Sequence, residues 1–155
     1  MIAEYEDSDM PTLYNAPRQY GLGQTHKHLP EMQKVCGLSV TPIFCPIVSN
    51  FARGMEVSVP LFTKDINGSI DDIKNAYKKA YKGKLVHFDE NADENGFLSA
   101  NAYSGKDDMG ISINGNDERV VITARFDNLG KGASGSALQN LNIVLGLEED
   151  YQLEI

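Results

Sequence analysis

The chain has 155 residues, 41% of them hydrophobic, and a formal net charge of −8, which suits one globular domain with a core of its own. The acidic balance argues against a nucleic acid or an anionic membrane surface as partner, since both call for clustered Lys and Arg. No apolar run approaches the ~18 residues of a membrane span. The start, MIAEYEDSDM, lacks the basic-then-apolar pattern of a signal peptide.

Residues 1–20 carry acids, Pro11 and Pro17 and few periodic apolar positions, so a short helix at most and then irregular chain is expected. Residues 21–35, GLGQTHKHLPEMQKV, hold two of the three histidines. A proline biases the residue before it away from the helix, so 25–29 reads as extended, with His26 and His28 on one face and Lys27 on the other. Pro30 then opens a helix, Glu31 complements its positive end, and Gly37 stops it. His28 stands at that helix start, where the dipole favours an imidazole able to accept a proton. An HxH pair is also a common surface feature, or half of a metal site.

Residues 38–51, LSVTPIFCPIVSNF, are β-branched and aromatic but cut by Pro42 and Pro46, which makes them an edge strand or a broken one. Cys36 and Cys45, without a CxxC spacing, read as small buried hydrophobes in a reducing cytoplasm. Residues 54–62 alternate Met55, Val57, Val59 and Leu61 against Glu56, Ser58 and Pro60, the pattern of a half-buried strand. Residues 69–82 form the clearest helix, with Ser69 as cap, Asp71 and Asp72 in the first turn, and an apolar stripe from Ile70 to Tyr81. A short strand at 85–88 carries His87, read as structural.

Residues 89–96, DENADENG, have alternate oxygen ligands and a well-placed Gly96 but lack the glutamate of a calcium loop, so they read as a solvated acidic loop. Residues 109–114 and 119–126 are two strands joined by NGND, with Val120, Ile122, Ala124 and Phe126 as the buried face of the second. Gly130, Gly132 and Gly135 satisfy GxGxxG between a strand and the helix 134–145. Too little chain follows for a dinucleotide fold, so these glycines let the backbone turn tightly or let a ligand come close. Ala137, Leu138, Leu141, Val144 and Leu145 make the apolar stripe of that last helix.

Two stretches carry a resemblance: THKHLPEMQK, residues 25–34, and DNLGKGASGSALQNLN, residues 127–142. In this order and spacing they resemble the second-domain histidine motif and the closing motif of the N-acetyl-gamma-glutamyl-phosphate reductases, relatives of aspartate-semialdehyde dehydrogenase. The resemblance implies a single α+β domain over 1–155, with a mixed, largely antiparallel sheet and helices packed on one face, like the second domain of glyceraldehyde-phosphate dehydrogenase. It implies a cytoplasmic, NADP-dependent, homo-oligomeric enzyme of arginine biosynthesis acting on a small acyl phosphate. In that chemistry a cysteine thiolate captures the acyl group, phosphate leaves, and the thioester is reduced to the semialdehyde.

Carried over by motif, His28 matches the catalytic acid/base histidine and His26 the residue that supports it or touches substrate. Arg53, in FARGM, and Asn101, at the end of Ser99-Ala100-Asn101, match substrate-binding positions. Asn128 and Lys131 match the neighbourhood of the nicotinamide. Arg53, Asn128 and Lys131 also suit a plain surface charge or turn residues. The family's Rossmann domain and its Asn-Pro-Gly-Cys nucleophile segment are not among these residues, and neither Cys36 nor Cys45 has that context. The isolated chain is therefore expected to be inactive, with the cofactor bound mainly by the absent domain. Two other readings stand beside this one: a small metal-binding module built on His26 and His28, with His87 as a further candidate, for which the sequence does not fix the third and fourth ligands, and a noncatalytic oligomerisation domain.

Overall fold

Proline removes a ladder donor, and the computed structural model, which describes residues 2–155, has little regular structure where prolines are dense. The chain divides into two compact units, the first ending at Phe51 and the second spanning Ala52–Ile155. In the first unit, α1 (Ile2–Tyr5) and a 3₁₀ turn (Thr12–Asn15) precede β1 (Arg18–Gln19). Of the stretch 38–51, Ile47–Val48 alone pairs as a strand (β2), antiparallel to β1, so the broken-strand expectation holds.

Helix α2 covers His28–Val35. It begins earlier than Pro30, because a proline anywhere in the first turn forfeits no bond: the first four N–H groups of a helix have no partner within it. Lys27, at φ −56° and ψ −26°, already has helical angles, and Leu29 donates to the His26 carbonyl at 3.0 Å. The expected extension of 25–29 is thus corrected to a turn running into a helix. Gly37, at φ +63°, ends it as expected, with Leu38 N–H closing back to the Gln33 carbonyl. Cys36 and Cys45 are both exposed and free, not buried: Cys36 caps the exposed C-terminal end of α2, and Cys45 lies in a stretch that forms almost no sheet, so no layer covers it.

The second unit is an α+β arrangement. Its four-stranded sheet has the order β3–β6–β5–β4, from β3 (Met55–Phe62), β4 (Val86–Phe88), β5 (Met109–Gly115) and β6 (Arg119–Phe126). The NGND hairpin sets β5 against β6 with Ile113 opposite Ile122, β3 runs antiparallel to β6 with Val59 opposite Ile122, and β4 joins parallel to β5. Helix α3 (Ile70–Ala80) starts on a capping box, the Ser69 and Asp72 side chains each bonding the other's backbone N–H. Helix α4 (Gly135–Leu145) ends on Gly146 at φ +71°.

Ile111, Ile113 and Val120 are buried on one face of the sheet, but the two faces are not used as alternation predicts. On β6 the side chains most deeply buried besides Val120 are Thr123 and Arg125, on the side read as polar. The apolar side of β3 lies open: Met55, Val57 and Val59 are each between 41% and 46% exposed. Met55, Val57 and Val59 stand opposite Phe126, Ala124 and Ile122, which are half-buried, so the openness is greatest on β3, the edge strand. On α4 the expected stripe is likewise open, with Leu141, Val144 and Leu145 exposed. Its inward side is built from Gly135 and Asn142, the latter donating to the Glu149 and Tyr151 carbonyls. Among the described residues no helix is long and apolar enough to cross a membrane.

Candidate functional site

A carboxylate taken wholly from water must be met by donors on every lone pair it keeps. Asp127, just past β6, is fully buried. One oxygen accepts from Gly105 N–H at 2.6 Å and from Arg53 Nε at 3.0 Å. The other accepts from Leu129 N–H at 2.8 Å and Gly130 N–H at 3.1 Å. Burial alone raises its pKa, but the N–H groups of Gly105, Leu129 and Gly130 and the charge of Arg53 outweigh that and hold it below the usual carboxylate range. One side chain thereby ties together three segments distant in sequence.

Arg53 is oriented by this contact through Nε, and its backbone carbonyl accepts the Ser104 hydroxyl at 2.7 Å. Its side chain is 42% exposed, and its two terminal nitrogens have no acceptor among the described residues. Next to it, Gly54 N–H donates to Asn128 Oδ1 at 2.8 Å, which leaves the Asn128 amide nitrogen as a donor. Gly54 has φ +127°, and a Cβ there would stand 2.6 Å from Asn101 Cα and 2.7 Å from the Ala100 carbonyl. Only glycine lets these backbones approach so closely. The structure therefore brings Arg53, Asn101 and Asn128 together, with a cation and two amides at one place.

The segment that presents Asn101 is braced by Arg125. Its guanidinium, buried on the sheet, bonds Glu94 at 2.5 Å and the Ala92 carbonyl at 3.3 Å, and lies over the Tyr103 ring. The Ser99 hydroxyl first, then Arg125, hold the Glu94 carboxyl below its ordinary value. Burial, then the neighbouring Asp89, pushes the Tyr103 phenol up, so it remains a donor, bonding Asp89 at 3.1 Å. Tyr103 also lies 3.3 Å from His87 Nε2. The acidic loop 89–96 is solvated as expected at Glu90, Asn91, Asp93 and Asn95, while its Asp89 and Glu94 face a buried arginine.

Lys131 is buried and donates to Gln139 at 2.7 Å; burial lowers its pKa against the nearby Asp107, Glu149 and Asp108. It lies on a π-helical turn, Gly130–Ser134, leading into α4. A Cβ on Gly130 would collide with the Lys106 carbonyl, and one on Gly135 with the Asp107 side chain. The glycine loop thus admits close approach by its own chain. A cleft of about 430 Å³ lies between Ala80–Val86, Gln139 and Glu148–Asp150 and holds none of the expected site residues.

The histidine pair belongs to the first unit. The rings of His26 and His28 are 4.7 Å apart and nearly perpendicular, and His28 N–H donates to His26 Nδ1 at 3.2 Å. Their proximity comes from the turn into α2 rather than from a strand. His28 is exposed and His26 half-buried, with Phe44 5.1 Å from His26 and 6.2 Å from His28. Among the described residues no three His, Cys, Asp or Glu side chains converge on a metal position.

Asp127 and Arg125 went unread as site residues in the sequence. The signal for Asp127 was faint: an Asx start to a turn, Asp127 Oδ1 taking the Leu129 and Gly130 N–H groups. Nothing local marks Arg125, whose hydrogen-bond acceptors lie 26 to 33 residues away.

Comparison with known proteins places these residues in context. The family described as semialdehyde dehydrogenase, dimerisation domain, matches residues 3–128. The chain is 41% identical over 144 residues to N-acetyl-gamma-glutamyl-phosphate reductase 2 of Nostoc sp., covering 86% of this chain and 45% of that protein. It is 40% identical over 154 residues to N-acetyl-gamma-glutamyl-phosphate reductase of Sinorhizobium medicae, covering 94% of this chain and 49% of that one. For the Brucella ovis protein of the same name the identity is 38% over 155 residues, covering 94% and 50%. The chain spans about half the length of the curated relatives it matches.

Proposed function

Because the chain belongs to the family of semialdehyde dehydrogenase dimerisation domains, we propose that it is the catalytic and dimerisation domain of an NADP-dependent reductase. The enzyme converts N-acetyl-gamma-glutamyl phosphate to N-acetylglutamate semialdehyde and phosphate, in arginine biosynthesis. What supports this reading is the meeting of Arg53, Asn101 and Asn128 around Asp127, in a chain 38–41% identical to proteins named for that reaction.

The substrate carries a carboxylate and a phosphate, and a guanidinium held by Nε with its other nitrogens free suits bidentate capture of either. Asn101, exposed beside it, supplies an amide for the N-acetyl or carboxylate oxygens. The thiolate comes from a second domain: as it bonds the acyl carbon, the bond from that carbon to the phosphate oxygen breaks and phosphate leaves. His28 takes the thiol proton and later returns it to the departing thiolate or to the new carbonyl oxygen. His26 holds His28 in place and contacts substrate. When bound, NADPH supplies the hydride that reduces the thioester. Asn128 fits that cofactor because its oxygen is occupied by Gly54 and its nitrogen can meet a carboxamide oxygen, while Lys131 supports the turn behind it. On this reading the 155 residues alone have no turnover.

We assign the contact with a second copy to the open face of Met55, Val57 and Val59, a surface whose apolar character an isolated soluble domain does not require. Fusing this chain behind the amino-terminal half of the Nostoc relative tests the enzymatic reading. Substrate-dependent NADPH oxidation is expected, falling about 100-fold or more with His28→Ala. A folded fusion without turnover refutes the reductase assignment, and turnover indifferent to His28→Ala refutes the role of that histidine.

A further inference from the structure

Gln24 has φ +52°, a strained backbone conformation that L side chains other than Asn and Asp seldom adopt. The turn that holds it is closed by Gln24 N–H on the Gly21 carbonyl at 3.1 Å. From this position its side-chain amide reaches 20 residues along the chain and makes two bonds to one residue. Nε2 donates to the Phe44 carbonyl at 2.7 Å, and Oε1 accepts the Phe44 N–H at 3.0 Å. This is the pairing a neighbouring strand would offer, supplied by a side chain. Phe44 needs it, because Pro42 and Pro46 flank it and no strand pairs there.

The ring so anchored packs on both imidazoles. His26 in turn accepts the His28 N–H at Nδ1, which in the neutral ring puts the proton on Nε2. Tyr20 borders His26 on another side, edge-on at 6.0 Å.

We propose that Gln24 is a positioning residue for the histidine pair: by clamping Phe44 it sets the orientation of both imidazoles and the tautomer of His26. The inference rests on His28 being the acid/base residue, but its test reads ring nitrogens in the isolated chain and not turnover, so the two can fail separately. The strained φ is then the consequence of placing a long amide where the turn must point it at residue 44.

The test is the long-range proton–nitrogen spectrum of the three histidines in the uniformly labelled chain. In the unaltered protein His26 gives the Nε2–H pattern, favoured about tenfold, the equivalent of one hydrogen bond. Gln24→Gly relaxes the backbone but removes the amide; the His26 preference is expected to fall to about threefold or less and His28 to shift, with His87 in the second unit unmoved. Phe44→Leu keeps the backbone pairing and removes the ring, and is expected to move the same two histidines. Should Gln24→Gly unfold the first unit, seen as loss of the Leu29 and Cys36 amide dispersion, Phe44→Leu decides. His26 and His28 signals unchanged in Phe44→Leu, or unchanged in a folded Gln24→Gly, overturn the proposal.

Discussion

Replacing Asp127 by alanine removes the acceptor of three backbone N–H groups and of the Arg53 Nε. The side chain is fully buried, so water does not readily take its place. A buried donor left without a partner costs about 1–3 kcal/mol, and breaking a buried charged network about 3–5 kcal/mol in all. For a unit of this size about 4 °C of melting temperature follows each kcal/mol, so Asp127→Ala should melt about 12–20 °C lower. Arg53→Met provides the contrast. It leaves the three N–H groups on the carboxylate and should cost about 1 kcal/mol, because Arg53 is partly in water.

The pH dependence has a definite sign. Asp127 has a lower pKa folded than unfolded, so the unfolded chain binds more protons between the two values. The stabilisation is complete above the unfolded value of about 3.9 and is lost as pH falls through the folded one. The gap in melting temperature between the unaltered chain and Asp127→Asn should therefore be constant near neutrality and narrow below about pH 4. Calorimetry or circular dichroism from pH 2 to 8 measures it. A melting temperature for Asp127→Ala within about 3 °C of the unaltered chain would show that this carboxylate does not hold the three segments together.

Gly54→Ala should cost about 3 kcal/mol or more, since φ +127° is closed to alanine and the Cβ meets the Asn101 and Ala100 backbones. The amide resonances of Gly105 and Asn128 report the rearrangement, and a variant as stable as the parent would refute the close packing. Val57→Glu combined with Val59→Glu sets two charges on the open face of β3 and should weaken self-association about 100-fold or more, read by sedimentation. Association unchanged by these charges would move the contact elsewhere.

Several features could be read directly because their causes are local. The NGND hairpin, the Ser69 cap of α3 and the glycine stop of α2 each depend on residues within a few positions. So does the failure of 38–51 to form a continuous strand. The direction of burial is not local: alternation in β3 separates Met55, Val57 and Val59 from Glu56 and Ser58, but it does not say which side another layer covers. Cys36 and Cys45 were misread on the same ground, since residue type records a tendency and not a neighbour.

The amino-acid order by itself determined most of the second unit's strands and helices, the kinship and part of the site, because turn chemistry, capping and motif spacing act over a few residues. Only the tertiary structure decided that Asp127 gathers Arg53, Gly105 and Gly130, that Arg125 rather than an apolar residue lies beneath the Asn101 segment, and that Gln24 reaches Phe44. A buried polar group is stable only when donors and acceptors from distant parts of the chain arrive together, and that coincidence leaves no periodic trace in sequence.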